Sequence, residues 1–278
     1  MLVEINIKRL FSLYDYQINL LDSGNCKIHF LTSPNGYGKT TILEMIHALL
    51  IKDFSRLVEI PFSEFSLLFV DNVEKVRLSV IQERTAKSQD LSTDLLETPE
   101  VKLCISLFRI EAEKEVLIDT MIVQKKPMGV DIVEGNGNLD MFFVSKTCHY
   151  LTDNRLLRKK TDVKEYSTQL DTINIDEYAL KLKAILKDPV RSELYKDRIN
   201  LFQKIIDKCE FASKDIEITH FFGFRFIAGD EFNSKISLNA LSSGEKHMII
   251  QLYELLFEAQ DGTLVLIDEP ELSLHMMW

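Results

Sequence analysis

The chain has 278 residues, with 33 Lys and Arg against 43 Asp and Glu and a formal net charge of −10. That balance argues against non-specific nucleic-acid binding as the chief activity, and an apolar fraction of 46% argues against a disordered acidic tail. No apolar run approaches the roughly 18 residues of a membrane span, residues 1–9 (MLVEINIKR) lack the pattern of a signal peptide, and four scattered cysteines without a CxxC pair suggest neither a disulfide framework nor a zinc site. The default expectation is a reduced, soluble, cytoplasmic chain without a membrane partner.

Leu2, Ile5 and Ile7 mark a first strand, and Tyr16, Ile18 and Leu20 a second. Residues 26–32 (CKIHFLT) are a third strand candidate, running into a glycine-containing loop. From Thr40 onward, Ile42, Met45, Ile46, Leu49 and Leu50 recur at helical spacing. Between about 61 and 124 the period changes to two: Phe65, Leu67 and Phe69, then Val76, Leu78 and Val80, then Leu103, Ile105 and Leu107, then Val116, Ile118 and Thr120. This pattern predicts an antiparallel, half-solvated sheet. Segments 84–100 and 125–140 read as loops. Residues 174–209 read as helical, with Tyr178, Leu182, Ile185 and Leu186 on one stripe and Ile199, Phe202, Ile205 and Ile206 on another. No heptad run is long enough for a coiled coil. Strands resume at Ile216, a helix is expected from Ser243 to about Glu258, and an intensely apolar strand covers Thr263–Ile267, expected to be buried on both faces of a parallel sheet.

Three short motifs carry chemistry. The loop Ser33-Pro34-Asn35-Gly36-Tyr37-Gly38-Lys39-Thr40-Thr41 follows a strand candidate and opens a helix, which is the setting of a phosphate-binding P-loop, with Ser33 in place of the usual first glycine. Gly36 and Gly38 let the backbone wrap close to phosphate oxygens at a helix N-terminus. Lys39 supplies a point charge for the β- and γ-phosphates, and the Thr40 hydroxyl suits Mg²⁺. Asp268 and Glu269 end the apolar strand, where Asp268 suits the Mg²⁺ shell and Glu269 can accept a proton from attacking water. Leu241-Ser242-Ser243-Gly244-Glu245-Lys246 precedes the expected helix; read locally, it is a serine N-cap with an acid in the first turn.

In the order of these three motifs the chain resembles the ABC-type ATPases, whose signature reads LSGGQ; here Ser243 replaces the first glycine and Glu245 the glutamine. The resemblance implies that Ser242, Ser243, Gly244 and Glu245 of one subunit close over ATP bound to another, giving a homodimer or higher homo-oligomer around an ATP sandwich. LSSGEKH, together with Asp268-Glu269-Pro270-Glu271-Leu272-Ser273-Leu274-His275, is similar to the OLD/RecF/SMC branch, and to OLD-like ATPases with an IDEPExSLH run in particular. The resemblance makes Ser273, Leu274 and His275 the D-loop. It also implies a Q-loop residue, for which Asn154 is the first candidate and Gln82 the alternative. Phe11 and Tyr14 are candidates to stack on adenine. Arg155, Arg158, Lys159, Lys160 and Lys164 form a basic cluster, read as a solvated face before a nucleic-acid contact.

The fold so implied is α/β: a P-loop NTPase of ABC type occupying 1–278 as a single domain. It would have a mixed core sheet (1–60 and 210–278), an antiparallel β lobe (about 61–150) and a helical insertion (about 155–209). The family's switch histidine follows a further strand, so the chain is expected to be C-terminally incomplete at Trp278. The implied activity is Mg²⁺-dependent ATP hydrolysis that controls an effector in prokaryotic DNA maintenance or anti-phage defence, with nucleic acid contacted only indirectly. Two alternatives stand beside it: a nucleotide-gated scaffold with little turnover, and the ATPase part of a nuclease whose catalytic domain lies beyond Trp278.

Overall fold

Apolar residues at every second position leave one face of each strand to be buried, and this decides the architecture of the first half of the chain. The computed structural model describes residues 1–20, 28–70, 74–85, 100–112, 114–126, 129–135, 137–151, 158–159, 170–171, 174–209, 211, 214–229 and 234–269. It divides into unit 1, Met1–Tyr150 with Gly262–Leu266, and unit 2, Leu151–Asp261 with Ile267–Trp278. The whole is a mixed α/β structure with one large antiparallel sheet and several helices. Among the described residues no helix is long and apolar enough to cross a membrane.

In unit 1, β1 (Leu2–Leu10), β2 (Tyr14–Asn19), β3 (Glu64–Val70), β4 (Lys75–Thr85), β5 (Glu100–Glu111), β6 (Lys114–Lys126) and β7 (Gly129–Glu134) form a seven-stranded sheet in the order β2-β1-β3-β4-β5-β6-β7. Every neighbouring pair is antiparallel. Register builds apolar rows across the strands. Ile7, Phe65, Val80, Ile105 and Met121 stand opposite one another in turn, as do Ile5, Leu67, Leu78 and Leu107. Over that face lie α1 (Lys39–Leu50), α2 (Phe54–Glu59) and α3 (Asn138–Ser145), which bury Ile42, Met45, Ile46, Leu49, Phe54, Leu57, Leu139 and Phe143 in the same core. The opposite face is polar: Arg77 pairs with Glu115 at 2.8 Å and with Glu4 at 3.7 Å. The half-solvated antiparallel sheet expected from the sequence is present.

Two polar side chains interrupt the apolar rows, and each holds a helix end. Asp119, opposite Leu107 and 3% exposed, accepts the Leu139 N–H at 3.0 Å and so caps α3, whose own N-cap, Gly137, supplies no side chain. Gln82, 7% exposed, donates to the Ile60 carbonyl at 3.1 Å just past α2 and accepts from the Phe62 N–H at 3.2 Å.

Three expectations change. Segment 125–140 is not a loop: β6 runs to Lys126, and β7 and α3 follow, α3 being seated by Asp119 from a distant strand. Of the loop expected at 84–100, residues 84–85 belong to β4 and residue 100 to β5, while 86–99 lie outside the described residues. Of the strand expected at 26–32, the described part has no strand pairing, and Phe30 is 82% exposed. An alternating segment needs a neighbouring strand to satisfy its backbone, and none of the described strands joins this one.

In unit 2, α4 (Ile175–Lys187), α5 (Pro189–Leu194) and α6 (Lys196–Lys208) follow two short paired strands, β9 (Arg158–Lys159) and β10 (Leu170–Asp171). The helical stretch expected at 174–209 is present, from Ile175 to Lys208. Asn174 caps α4 through the Asp176 N–H, and Asp188 caps α5 through the Val190 and Arg191 N–H groups. A three-stranded antiparallel sheet, β11 (Lys214–Thr219), β12 (Gly223–Ala228) and β13 (Lys235–Ile236), packs with α4, α6 and α7 (Ser243–Tyr253). Its core joins Tyr178, Leu182, Phe202, Phe224, Phe226, Ile249 and Tyr253. Helix α7 continues as a π-helical turn through Glu258, matching the expected helix to that point. Close approach of α4 to β12 requires glycine at 223: a Cβ there would lie 1.8 Å from the Ala179 carbonyl oxygen.

The last described strand, β14 (Leu264–Ile267), pairs with β8 (Cys148–Leu151). The Leu264 N–H donates to the Thr147 carbonyl and the Asp268 N–H to that of Leu151, so the two strands run parallel. Burial on both faces is not observed: Leu264 and Val265 are half-buried and Ile267 is 37% exposed. Among the described residues the strand has one pairing partner, β8, and lies at a sheet edge.

Candidate functional site

The Ser33–Thr41 loop belongs to unit 1. Gly36 (φ 86°) and Gly38 (φ 79°) both take the left-handed conformation that glycine adopts without penalty. Gly38 is the N-cap of α1, with no side-chain cap and no acid in the helix's first turn. The helix therefore opens with orphan backbone N–H donors and the positive end of its dipole. Lys39 is half-buried and folds back on the loop, donating to the Ser33 carbonyl at 2.8 Å and that of Pro34 at 3.3 Å. Asn35 and Thr40 are exposed, and Thr41 is half-buried in the first turn of α1.

The turn between β1 and β2 braces this loop. A Cβ at Gly38 would stand 3.1 Å from Leu10 Cδ2 and 3.8 Å from Phe11 Cε2, so the two segments are in close contact. Three non-glycine residues here, Arg9 near the end of β1 and Phe11 and Ser12 of the turn, have φ between 54° and 62°. Such strain persists where surrounding bonds over-determine it, and here the Phe11 N–H donates to the Pro61 carbonyl at 2.8 Å and the Arg9 N–H to Asp15 Oδ1 at 2.7 Å. The Tyr16 hydroxyl donates to the Tyr37 carbonyl at 2.6 Å, tying β2 to the middle of the loop. Tyr14 lies against Tyr37 with ring centroids 5.6 Å apart. Burial, with Tyr14 and Tyr37 alongside, raises the Tyr16 phenol above its ordinary value and keeps it a neutral donor. Of the two adenine-stacking candidates, Phe11 is 40% exposed and Tyr14 is half-buried against Tyr16 and Tyr37.

The Ser242–Glu245 turn belongs to unit 2. Ser242 caps α7: its hydroxyl accepts the Glu245 N–H at 3.2 Å, while Glu245 Oε2 accepts the Ser242 N–H at 2.7 Å, completing a capping box. The local reading of this motif as a serine cap is thus observed. Ser242 and Ser243 are exposed, Gly244 is half-buried and Glu245 is buried. The Lys214 ammonium, from the start of β11, meets Glu245 Oε1 at 2.6 Å. Burial alone would raise the Glu245 carboxyl, but the Lys214 and Ser242 hydrogen bonds outweigh it and hold it below its ordinary value.

Asp268 and Glu269 also fall in unit 2. Asp268 is 8% exposed, with its N–H on the Leu151 carbonyl at 2.8 Å; Glu269 is exposed and takes a left-handed backbone, φ 49°. Gln82 is not available as a Q-loop residue, because its amide is consumed by the Ile60 carbonyl, the Phe62 N–H and the Arg84 guanidinium. Asn154, the D-loop residues Ser273, Leu274 and His275, and most of the basic cluster lie outside the described residues. Among the described residues no group of three or more His, Cys, Asp or Glu is placed to hold a metal. Tyr16, Tyr37 and Lys214 were not singled out by sequence; each acts through a contact made only in three dimensions. No protein-family model matches the chain, and no curated protein matches it either.

Proposed function

We propose that the chain binds ATP with Mg²⁺ at the Ser33–Thr41 loop and hydrolyses it, as the ATPase head of an OLD/RecF-like ABC-type protein. The observation that carries this reading is the opening of α1, an uncapped and acid-free first turn entered through Gly36 and Gly38, with Lys39 folded onto neutral carbonyls. A phosphate there meets orphan N–H groups and the helix dipole. It also outcompetes the carbonyls for Lys39, since a phosphate adds the attraction of an opposite full charge, which a neutral carbonyl lacks.

The Thr40 hydroxyl is a hard oxygen donor of the kind Mg²⁺ takes, the motif that ends in Asp268 would supply a second by its resemblance, and the ion, when bound, would neutralise charge developing on the phosphates. Glu269 accepts the proton of the attacking water, and its left-handed backbone is the kind of strain that clusters at catalytic turns. The turn of a second copy that exposes Ser242 and Ser243 closes over the γ-phosphate, so that ATP drives dimerisation. In this reading the dimer gates an effector, supplied by a partner or a further domain, in anti-phage defence or DNA maintenance.

The test is direct. Lys39→Ala should weaken binding of a fluorescent ATP analogue about 10- to 100-fold, the loss of one charged hydrogen bond. Glu269→Gln should retain binding while turnover falls about 10²- to 10⁴-fold. Unchanged binding in the first variant and unchanged turnover in the second would sink the proposal.

A further inference from the structure

We infer that Lys214 is a positioning residue for the Ser242–Glu245 turn, neutralising the Glu245 carboxylate so that the opening of α7 can receive the triphosphate held by a second copy of the chain. The inference rests on the ATP-sandwich reading above and adds a residue to it. Glu245 occupies the third position of α7, where a carboxylate has two opposed effects. It closes the capping box and fixes the turn, but it also sets a full negative charge beside a helix opening worth only about half a positive one. An approaching phosphate would be repelled.

Lys214 removes that conflict. Its ammonium lies 2.6 Å from Glu245 Oε1, while Oε2 keeps the Ser242 N–H at 2.7 Å, so neutralisation does not disturb the cap. The two side chains are only 20% and 10% exposed, which shields the pair from the salt screening that weakens surface ion pairs. The neighbouring Lys246 does not serve this purpose, since its ammonium reaches the Asn239 carbonyl at 2.9 Å. Ser242 and Ser243 then stand exposed above a neutral pair.

The experiment measures MgATP-driven dimerisation of the full chain by sedimentation, with binding of fluorescent ATP to dilute single chains as a separate readout of the 33–41 loop. Lys214→Met should raise the ATP concentration needed for half-maximal dimerisation about tenfold or more. Adding Glu245→Gln to it should restore dimerisation to within about threefold of wild type, because the amide keeps the Ser242 hydrogen bond without the charge. Lys214→Arg should behave as wild type. Dimerisation by Lys214→Met at wild-type ATP concentrations would overturn the inference, and so would a double variant as impaired as the single one. If Lys214→Met does not fold, Glu245→Gln alone decides: it should dimerise at lower ATP than wild type, and a higher requirement would refute the charge argument. A wild-type chain that binds ATP without dimerising would refute the sandwich reading itself, and this inference with it.

Discussion

Replacing Gly223 by alanine tests the packing of unit 2 with an internal control. Gly223 and Gly262 have nearly the same backbone, φ 84° and 85°, so alanine at either incurs the same left-handed penalty of about 1–2 kcal/mol. They differ in space. Around Gly262 nothing lies within 4 Å, whereas at Gly223 the new Cβ would stand 1.8 Å from the Ala179 carbonyl oxygen, 2.8 Å from its carbon and 3.1 Å from the Lys183 nitrogen. All three are backbone atoms, so no side-chain rotation relieves the overlap, and α4 and β12 must part by about 1 Å. Such a gap forfeits a quarter to a half of the dispersion attraction across that interface, and overpacking of this kind costs about 1–3 kcal/mol. Gly223→Ala should therefore destabilise by about 2–5 kcal/mol against about 1–2 for Gly262→Ala, a large part of a typical 5–15 kcal/mol. Urea unfolding followed by far-UV circular dichroism reads the two values, and faster amide exchange should appear in α4 and β12 only for the first variant. Gly223→Ala lying within about 1 kcal/mol of Gly262→Ala would show that α4 does not sit on β12 as described.

Tyr16→Phe removes the hydroxyl that holds the Tyr37 carbonyl at 2.6 Å and should weaken ATP-analogue binding roughly 2- to 10-fold with little loss of stability; an unchanged Kd would remove Tyr16 from the support of the loop. Asp119→Ala leaves α3 without a cap and should cost about 1–3 kcal/mol in chemical denaturation, with early amide exchange at Leu139 as the local signature. Glu245 has a depressed folded-state pKa, so its contribution to stability is complete above the ordinary value of 4.5 and is lost as pH falls through the lower folded value. The stability difference between wild type and Glu245→Gln should accordingly shrink below pH 4.5, and a difference that is constant from pH 7 to 3 would contradict the Lys214 pairing.

Much of unit 1 is legible in sequence because its sheet is one-sided. Phe65, Leu67 and Phe69 alternate for the same reason that they are buried, and the helix at 39–50 shows its stripe at Ile42, Met45, Ile46 and Leu49. Helix α3 escapes the same reading. Eight residues are too few to display a period, and the group that starts the helix, Asp119, lies 20 residues away on β6. The Ser33–Thr41 loop is legible because its glycines and lysine act within nine consecutive positions. Its support is not, since Tyr16 reaches Tyr37 across 21 residues; the Ser242–Glu245 turn likewise hides its partner, Lys214, which lies 31 residues from Glu245. Gln82 shows the opposite error: a polar residue at a strand end resembles a site residue until its partners prove to be the backbone groups that follow α2.

The order in which unit 1 is threaded has a consequence for how the protein is made. Leu266 belongs to the core that the first 150 residues build, yet it is translated only after residues 151–261, which form most of unit 2. At about 5–20 residues per second, that interval lasts roughly 5–20 s. During it the seven-stranded sheet can close, since β3 through β7 are joined in sequence as successive hairpins, while β8 waits for its parallel neighbour. The nascent chain must therefore hold β8 without its parallel neighbour while residues 151–261 emerge, and Asp268, whose N–H meets the Leu151 carbonyl, takes its place only after them.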